Sequence, residues 1–141
     1  MLNFLIPLHP KLVHFPIALF FTALIFELLS RLFKKSFISE AAVLIYCFGA
    51  FLTPLVVYSG LWEQVRLHLN HPLLTQHKTF ALLTMWISWV SLVFIWWINK
   101  HQSKYFRNFF LIILIIVNVT VTVTGYYGGK MVYAYGVGIT Q

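Results

Sequence analysis

The chain of 141 residues is too apolar to fold as a water-soluble globule. Hydrophobic residues make up 60% of it, charged residues only 9%, and its mean hydropathy is +0.84. In soluble domains about a quarter of the residues are charged. Three acidic and ten basic side chains leave too little charge to cover a soluble surface. The composition therefore indicates an integral membrane protein and excludes a secreted or cytosolic enzyme.

The single cysteine and the excess of basic residues limit the cofactor sites and the partners that the chain can have. Cys47 on its own excludes an internal disulfide, a four-cysteine iron–sulfur or zinc site, and the C-x-x-C-H signature of covalently attached haem. The formal net charge of +7 comes from clusters that flank apolar segments, where topology and lipid headgroups explain it better than nucleic acid does. The sequence predicts no nucleic-acid partner, and any cofactor chemistry must use histidine.

Four apolar segments are long enough to cross a membrane, whose core of about 30 Å needs roughly 20 helical residues. They are residues 15–33, 41–59, 80–98 and 109–127. The last contains an alternating stretch that is typical of a strand, but an isolated strand in lipid leaves its backbone unpaired. Short connections favour antiparallel neighbours. We predict an all-α membrane protein, an up-down four-helix transmembrane bundle in a single domain over residues 1–141, without a clear internal repeat.

The distribution of basic residues predicts the orientation. The N-terminus lacks the basic start and the cleavage site of a secretory signal, so the first span is expected to stay attached. Four crossings place both termini on one face, and that face has four basic residues against six on the other. The positive-inside rule makes the more basic face cytoplasmic and both termini periplasmic. The six cytoplasmic residues are Arg31, Lys34, Lys35, Lys100, Lys104 and Arg107.

Five of the six histidines fall on the predicted periplasmic face. His14 lies at the start of the first span, because Pro16 fits best in the first turn of a helix. His77 opens the third span, which runs in the same direction as the first. The two imidazoles are therefore predicted to enter the bundle at similar depth and to converge. His101 is expected in a solvated cytoplasmic loop.

Two convergent neutral imidazoles suit a b-type haem, a bare transition metal, or a pair that only forms hydrogen bonds. A zinc or copper site usually needs three or four ligands, and the third would come from His9, His68 or His71, which are otherwise expected at the membrane interface. A haem needs two axial ligands and cations for its propionates. We therefore predict one non-covalent haem b held by His14 and His77, with His9 as the further metal-ligand candidate. The predicted propionate partners are Lys11, Arg66, Lys78 and Lys130.

Two other features call for an explanation. Glu27 is an ionisable residue inside the first span, and Arg31 follows it one turn later, so a structural ion pair is the default interpretation. A proton-accepting or quinone-contacting carboxylate is the alternative.

After the fourth span, five glycines in residues 125–138 indicate turns. We predict that this segment forms a lid over the periplasmic end, where Lys130 reaches a propionate and a tyrosine reaches an imidazole.

The opening segment LHPKLVHFPIAL, residues 8–19, resembles the signature of the DUF2231 family, a bacterial group of predicted four-span membrane proteins. Similar features follow at Glu27, at residues 59–61, at His77 and in the glycine-tyrosine stretch 125–133. The resemblance singles out His14 and His77, then His9, Glu27 and the Gly128-Gly129 turn. Members of the group are similar in outline to small membrane cytochromes, and some relatives carry fused Rieske or cytochrome c domains, which implies electron transfer by association only.

These observations predict a haem protein of the bacterial inner membrane that exchanges electrons with quinone or a periplasmic carrier, rather than an enzyme with its own substrate. Two alternatives remain open: a membrane protein that binds copper, zinc or iron, and a non-catalytic structural or assembly subunit. The chain has no Ser-His-acid constellation, acidic pair or nucleotide loop that would support a hydrolase or transferase. Formation of a homo-oligomer is left open.

Overall fold

The computed structural model describes residues 8–100 and 105–137, in which all regular structure is α-helical. Four helical segments are long and apolar enough to span a membrane, so the predicted all-α, four-span architecture is confirmed. The predictions for His101 and Lys104 lie outside the described residues. The helices are α1 (Leu8–Leu12), α2 (His14–Phe33), α3 (Ser36–Arg66), α4 (Pro72–Lys100) and α5 (Phe106–Tyr135).

Helices α1 and α2 together form the first span, and the break between them has a local cause. Pro16 has no N–H with which to bond the carbonyl of Leu12, so the helical ladder is interrupted there. Val13 between the two helices keeps a helical backbone conformation. At the other end of α2, Lys34 adopts a left-handed conformation with φ of 54° and caps the helix through its N–H to the Ser30 carbonyl.

The glycine-rich segment is helical as far as Tyr135, so the predicted lid is wrong. Gly125, Gly128 and Gly129 all lie within α5, which continues to Tyr135 and ends at Gly136 in a left-handed conformation. A helix satisfies its own backbone hydrogen bonds near a membrane, which a glycine-rich turn does not. Helix α3 likewise continues beyond residue 59 to Arg66, and residues 67–71 are all that separate it from α4.

Helix α2 packs on α3 and α4 on α5, while contacts of α2 with α5 and of α3 with α4 close the bundle. The centre contains the rings of Phe20, Tyr46 and Phe110, with centroids 5.4 Å and 5.7 Å apart in successive pairs. The Tyr46 hydroxyl donates to Ser91 Oγ at 2.6 Å, since Ser91 itself donates to the Ser88 carbonyl. A buried tyrosine is thereby satisfied between α3 and α4.

Burial repeats along the chain with an offset of 68 residues. Each buried residue described in α4 and α5 has a buried counterpart 68 positions earlier, in α2 or α3. The α2 positions are Pro16, Phe20, Ala23 and Glu27, matched by Thr84, Ser88, Ser91 and Ile95. The α3 positions are Ala42, Tyr46, Gly49, Ala50, Thr53 and Glu63, matched by Phe110, Leu114, Val117, Asn118, Val121 and Met131. Among the described residues the burial pattern therefore repeats along the chain, although few residue identities do.

Glu27 is fully buried and joins three helices at what we term the arginine end of the bundle. Arg31 Nε donates to Glu27 Oε1 at 2.8 Å, which confirms the predicted ion pair. Ser39 Oγ of α3 donates to Oε2 at 2.5 Å, and Arg107 Nε of α5 lies 3.4 Å from Oε1. Arg31 also bonds the carbonyl of Arg107 and, at 3.0 Å, Asn108 Oδ1. The carboxylate thus anchors both α3 and α5 to α2.

Replacing Glu27 by alanine should destabilise the bundle by about 3 kcal/mol, because it leaves two arginines without the buried carboxylate that compensates them. Glu40→Ala is the matched control, since Glu40 is exposed. Thermal unfolding of both variants in detergent, followed by circular dichroism, measures the difference. Equal unfolding temperatures for the two variants would contradict a stabilising role for Glu27.

Candidate two-histidine site

At the opposite end of the bundle, termed the histidine end, the imidazoles of His9 and His77 lie next to each other. Their ring centroids are 6.1 Å apart and their planes differ by 85°. His9 belongs to α1 and His77 to the second turn of α4, and both are half-buried. Pro10 lies in the first turn of α1 and Pro72 begins α4, positions where the missing N–H costs no helical hydrogen bond.

Each imidazole is fixed by a backbone carbonyl of the neighbouring helix. His9 Nδ1 is 3.0 Å from the Val56 carbonyl oxygen, and His77 Nδ1 is 2.9 Å from that of Thr124. A carbonyl oxygen only accepts hydrogen bonds, so each Nδ1 is the protonated nitrogen that donates. In a neutral imidazole the other nitrogen, Nε2, then has a free lone pair. Ser59 Oγ, also 3.0 Å from His9 Nδ1, adds a polar contact to the first ring.

A glycine lies under each ring. A Cβ atom added at Gly60 would be 2.8 Å from Cε1 of His9, and one added at Gly128 would be 3.1 Å from Cε1 of His77. A larger residue at Gly60 would therefore force the His9 ring to move, and one at Gly128 would require the His77 ring, held by Thr124, to shift by a few tenths of an ångström. Each glycine follows the accepting carbonyl by four residues, since Gly60 follows Val56 and Gly128 follows Thr124.

His9, rather than His14, is the partner that the structure brings to His77. His14 is the first residue of α2 and is exposed. Five residues separate the two histidines, which at 3.6 residues per turn places them roughly 140° apart around the helix axis. Because α1 packs on α3, His9 faces inward. From the sequence His9 is expected at the membrane interface, and this pair is missed because the α1 helix, with Pro10 inside its first turn, cannot be recognised from the sequence alone.

The four predicted propionate partners all lie on helices at the histidine end. Lys11, Lys78 and Lys130 are exposed, with the Lys130 ammonium 5.9 Å from the centroid of the Tyr126 ring. Arg66 already has a partner, because its Nη2 lies 3.4 Å from Oε1 of the buried Glu63. Three exposed cations thus surround this end of the bundle without any ion pair among the described residues, and their role toward a propionate stays a prediction.

The remaining histidines have other surroundings. His71 accepts a hydrogen bond from the N–H of Leu73 at 3.2 Å, and its ring lies 4.9 Å from that of Tyr135. His68 is exposed and adopts a left-handed conformation with φ of 49°. Within residues 8–100 and 105–137, no group of three or more His, Cys, Asp or Glu side chains is arranged to hold a metal ion. The site therefore offers a donor set of two imidazole nitrogens.

Four membrane-spanning helices with a histidine pair at one end and a buried ion-pair network at the other define a helical four-span membrane protein. The chain belongs to the DUF2231 family of predicted membrane proteins, whose family model matches residues 5–141. The resemblance drawn from the sequence is thereby confirmed. Searches of curated proteins and of solved structures find no match to the chain.

Gly128→Ala should destabilise the protein by about 1–3 kcal/mol, because the added methyl group overpacks the His77 ring. Gly125→Ala is the control on the same helix, since a Cβ there would meet no atom within 4 Å. Alanine at that position should gain up to about 1 kcal/mol of helix propensity. Thermal unfolding in detergent compares the two variants, and a similar loss in both would show that Gly128 is not required by the imidazole.

Proposed function

We propose that this protein is a membrane electron-transfer protein that binds one b-type haem non-covalently, with Nε2 of His9 and of His77 as the axial ligands. One observation carries the proposal: both Nδ1–H groups donate to backbone carbonyls, so both Nε2 lone pairs remain for a metal. Histidines that ligate metals commonly donate their other N–H to a carbonyl or carboxylate in this way.

The donor set and the ring separation support a haem iron as the occupant. Two metal–nitrogen bonds of about 2 Å each, together with half the width of each ring, account for a centroid separation close to 6.1 Å. Haem iron needs two ligands from the protein because the porphyrin supplies the others, so His9 and His77 form a complete set. A zinc or copper ion generally takes three or four. When bound, the haem would supply reversible one-electron chemistry.

The surroundings of the pair also suit a flat apolar group with two carboxylates. Gly60 and Gly128 allow the helix backbone to approach the two imidazoles closely and so hold them in place. Phe80 and Tyr127, which lie near His77 and Gly128 in the chain, stack at 5.8 Å and provide aromatic surface. The exposed lysines at the histidine end, namely Lys11, Lys78 and Lys130, are available to propionates.

The proposal includes a location and a class of partner. The arginine end carries the larger group of basic residues, so by the positive-inside rule it faces the cytoplasm. The histidine end and both termini then face the periplasm of a bacterial inner membrane. Electrons would be exchanged there with quinone in the membrane or with a soluble periplasmic carrier.

The absorption spectrum of the detergent-purified protein, produced with ample haem supply, tests the proposal. We expect a sharp Soret band and, on reduction with dithionite, split α and β bands of a low-spin haem. His9→Ala and His77→Ala should each remove that signature, because each deletes one axial nitrogen. His14→Ala is the matched control and should leave the spectrum unchanged, since its imidazole is exposed.

A featureless spectrum from well-folded protein would contradict the cytochrome proposal. Elemental analysis of the same sample would then distinguish bound copper, zinc or iron from a purely structural bundle. Loss of the haem bands in His14→Ala but not in His9→Ala would instead restore the ligand pair expected from the sequence.

A further inference from the structure

We infer that the chain is a fused pair of equivalent helical hairpins and that the His9–His77 site is a two-fold site, in which a single metal centre takes one imidazole nitrogen from each hairpin. The first hairpin comprises α1, α2 and α3, and the second comprises α4 and α5. The inference rests on the proposed function only in assigning a metal as the ligand.

The burial pattern is the first support. The buried positions of α4 and α5 reproduce those of α2 and α3 at one constant offset of 68 residues, through two helices and the connection between them. Identical spacing over such a length is expected when two copies of one unit pack in the same way. Side-chain sizes then differ within equivalent pairs, as Phe20 and Ser88 or Ala42 and Phe110 show, because each fills space that its counterpart leaves.

The contacts between helices are the second support. An operation that exchanges the hairpins converts the packing of α2 on α3 into that of α4 on α5, and the packing of α2 on α5 into that of α4 on α3. All four contacts are present. Helices α2 and α4 run in the same direction, so the axis relating the hairpins runs along the bundle. A residue meets its own equivalent only beside that axis, and His9 with His77 is such a pair, 68 residues apart.

The third support is that the complete half-site repeats. In each hairpin the histidine donates to a carbonyl 47 residues later in the chain. In each, the ring rests on a glycine four residues beyond that carbonyl. By contrast, the arginine end has no such repetition, because Glu27 corresponds to Ile95 and Ser39 to Arg107. The shared features are thus concentrated where the imidazoles meet.

This symmetry specifies the ligand class. The two imidazoles share one tautomer and lie next to each other beside the axis, so we expect the ligand to present two equivalent faces. A metal ion, or the iron of a planar macrocycle, meets that requirement. An asymmetric organic substrate would place chemically different groups against identical donors, and a shared hydrogen bond requires one of the two imidazoles to be a donor at Nε2.

Nitrogen-15 NMR of the full-length protein, labelled at histidine and free of haem, tests the two-fold site. Both His9 and His77 should be in the Nδ1–H tautomer. Adding Zn²⁺ alone, a diamagnetic metal that accepts imidazole nitrogen and can complete its coordination with water, should shift both Nε2 signals together, with the same midpoint and one ion per chain. Gly60→Ala should disturb the His9 signal and Gly128→Ala the His77 signal, whereas Gly125→Ala should disturb neither.

Different tautomers for the two histidines, or a response of only one of them to Zn²⁺, would overturn the two-fold site. Retained tautomers with no response of either histidine to Zn²⁺, together with a featureless haem spectrum, would overturn the assignment of a metal as its ligand. The equivalence of the two histidines is tested independently of the absorption spectrum. A haem spectrum with inequivalent histidines would support the cytochrome proposal and contradict the two-fold site. Equivalent histidines that bind Zn²⁺ but no haem would support the two-fold site and contradict the cytochrome proposal.

Discussion

The histidine end depends on one property of a helix in lipid. Its N–H groups are all used within the helix, but each carbonyl oxygen has a second lone pair that can accept another hydrogen bond. A helical side chain leans back over the preceding turn and shields that oxygen. Glycine at the position four residues later removes the shield, and this is the relation of Gly60 to Val56 and of Gly128 to Thr124. The carbonyl then orients an imidazole, and for His9 the Ser59 hydroxyl adds a polar contact.

The two ends of the bundle are stabilised differently. At the histidine end, the two imidazoles meet backbone acceptors, and the ion pair of Glu63 with Arg66 is separate from them. At the arginine end a fully buried carboxylate is surrounded by two guanidinium groups and the Ser39 hydroxyl. Removing one member of such a buried charged group costs far more than the intact group contributes. Glu27 therefore defines the arrangement of α2, α3 and α5, and leaves the histidine end available for chemistry.

The sequence predicted the features that depend on composition or on nearby residues. Four long apolar segments can only be helices in lipid, and Glu27 with Arg31 is a pair one turn apart, so both predictions needed no tertiary information. The choice between His9 and His14 needed tertiary information, because it depends on which side of α1 packs on α3. The prediction of a lid was wrong because it used the turn preference that glycine has in water, where the backbone of a turn is solvated. Near a membrane, a helix is favoured because it satisfies its own backbone hydrogen bonds.

The internal repeat escaped the sequence for a different reason. Packing between two copies of a hairpin selects complementary volumes, not identical ones, so equivalent positions diverge as a core fills. Few positions retain their identity at this offset, and although a histidine and a glycine in each half are among them, they are too few to be seen without the burial pattern. The carbonyls that complete the half-sites belong to Val56 and Thr124. The side chains of these residues do not indicate that their backbone oxygens accept a hydrogen bond from an imidazole.

The break at Pro16 makes the two halves unequal in rigidity. His77 belongs to a helix of 29 residues, whereas His9 belongs to a helix of five that is joined to α2 across an interrupted ladder. Opening of a short terminal element costs less free energy than opening of a long one. For the ligand that we propose, we therefore expect entry and release to proceed through excursions of α1 while His77 stays in place.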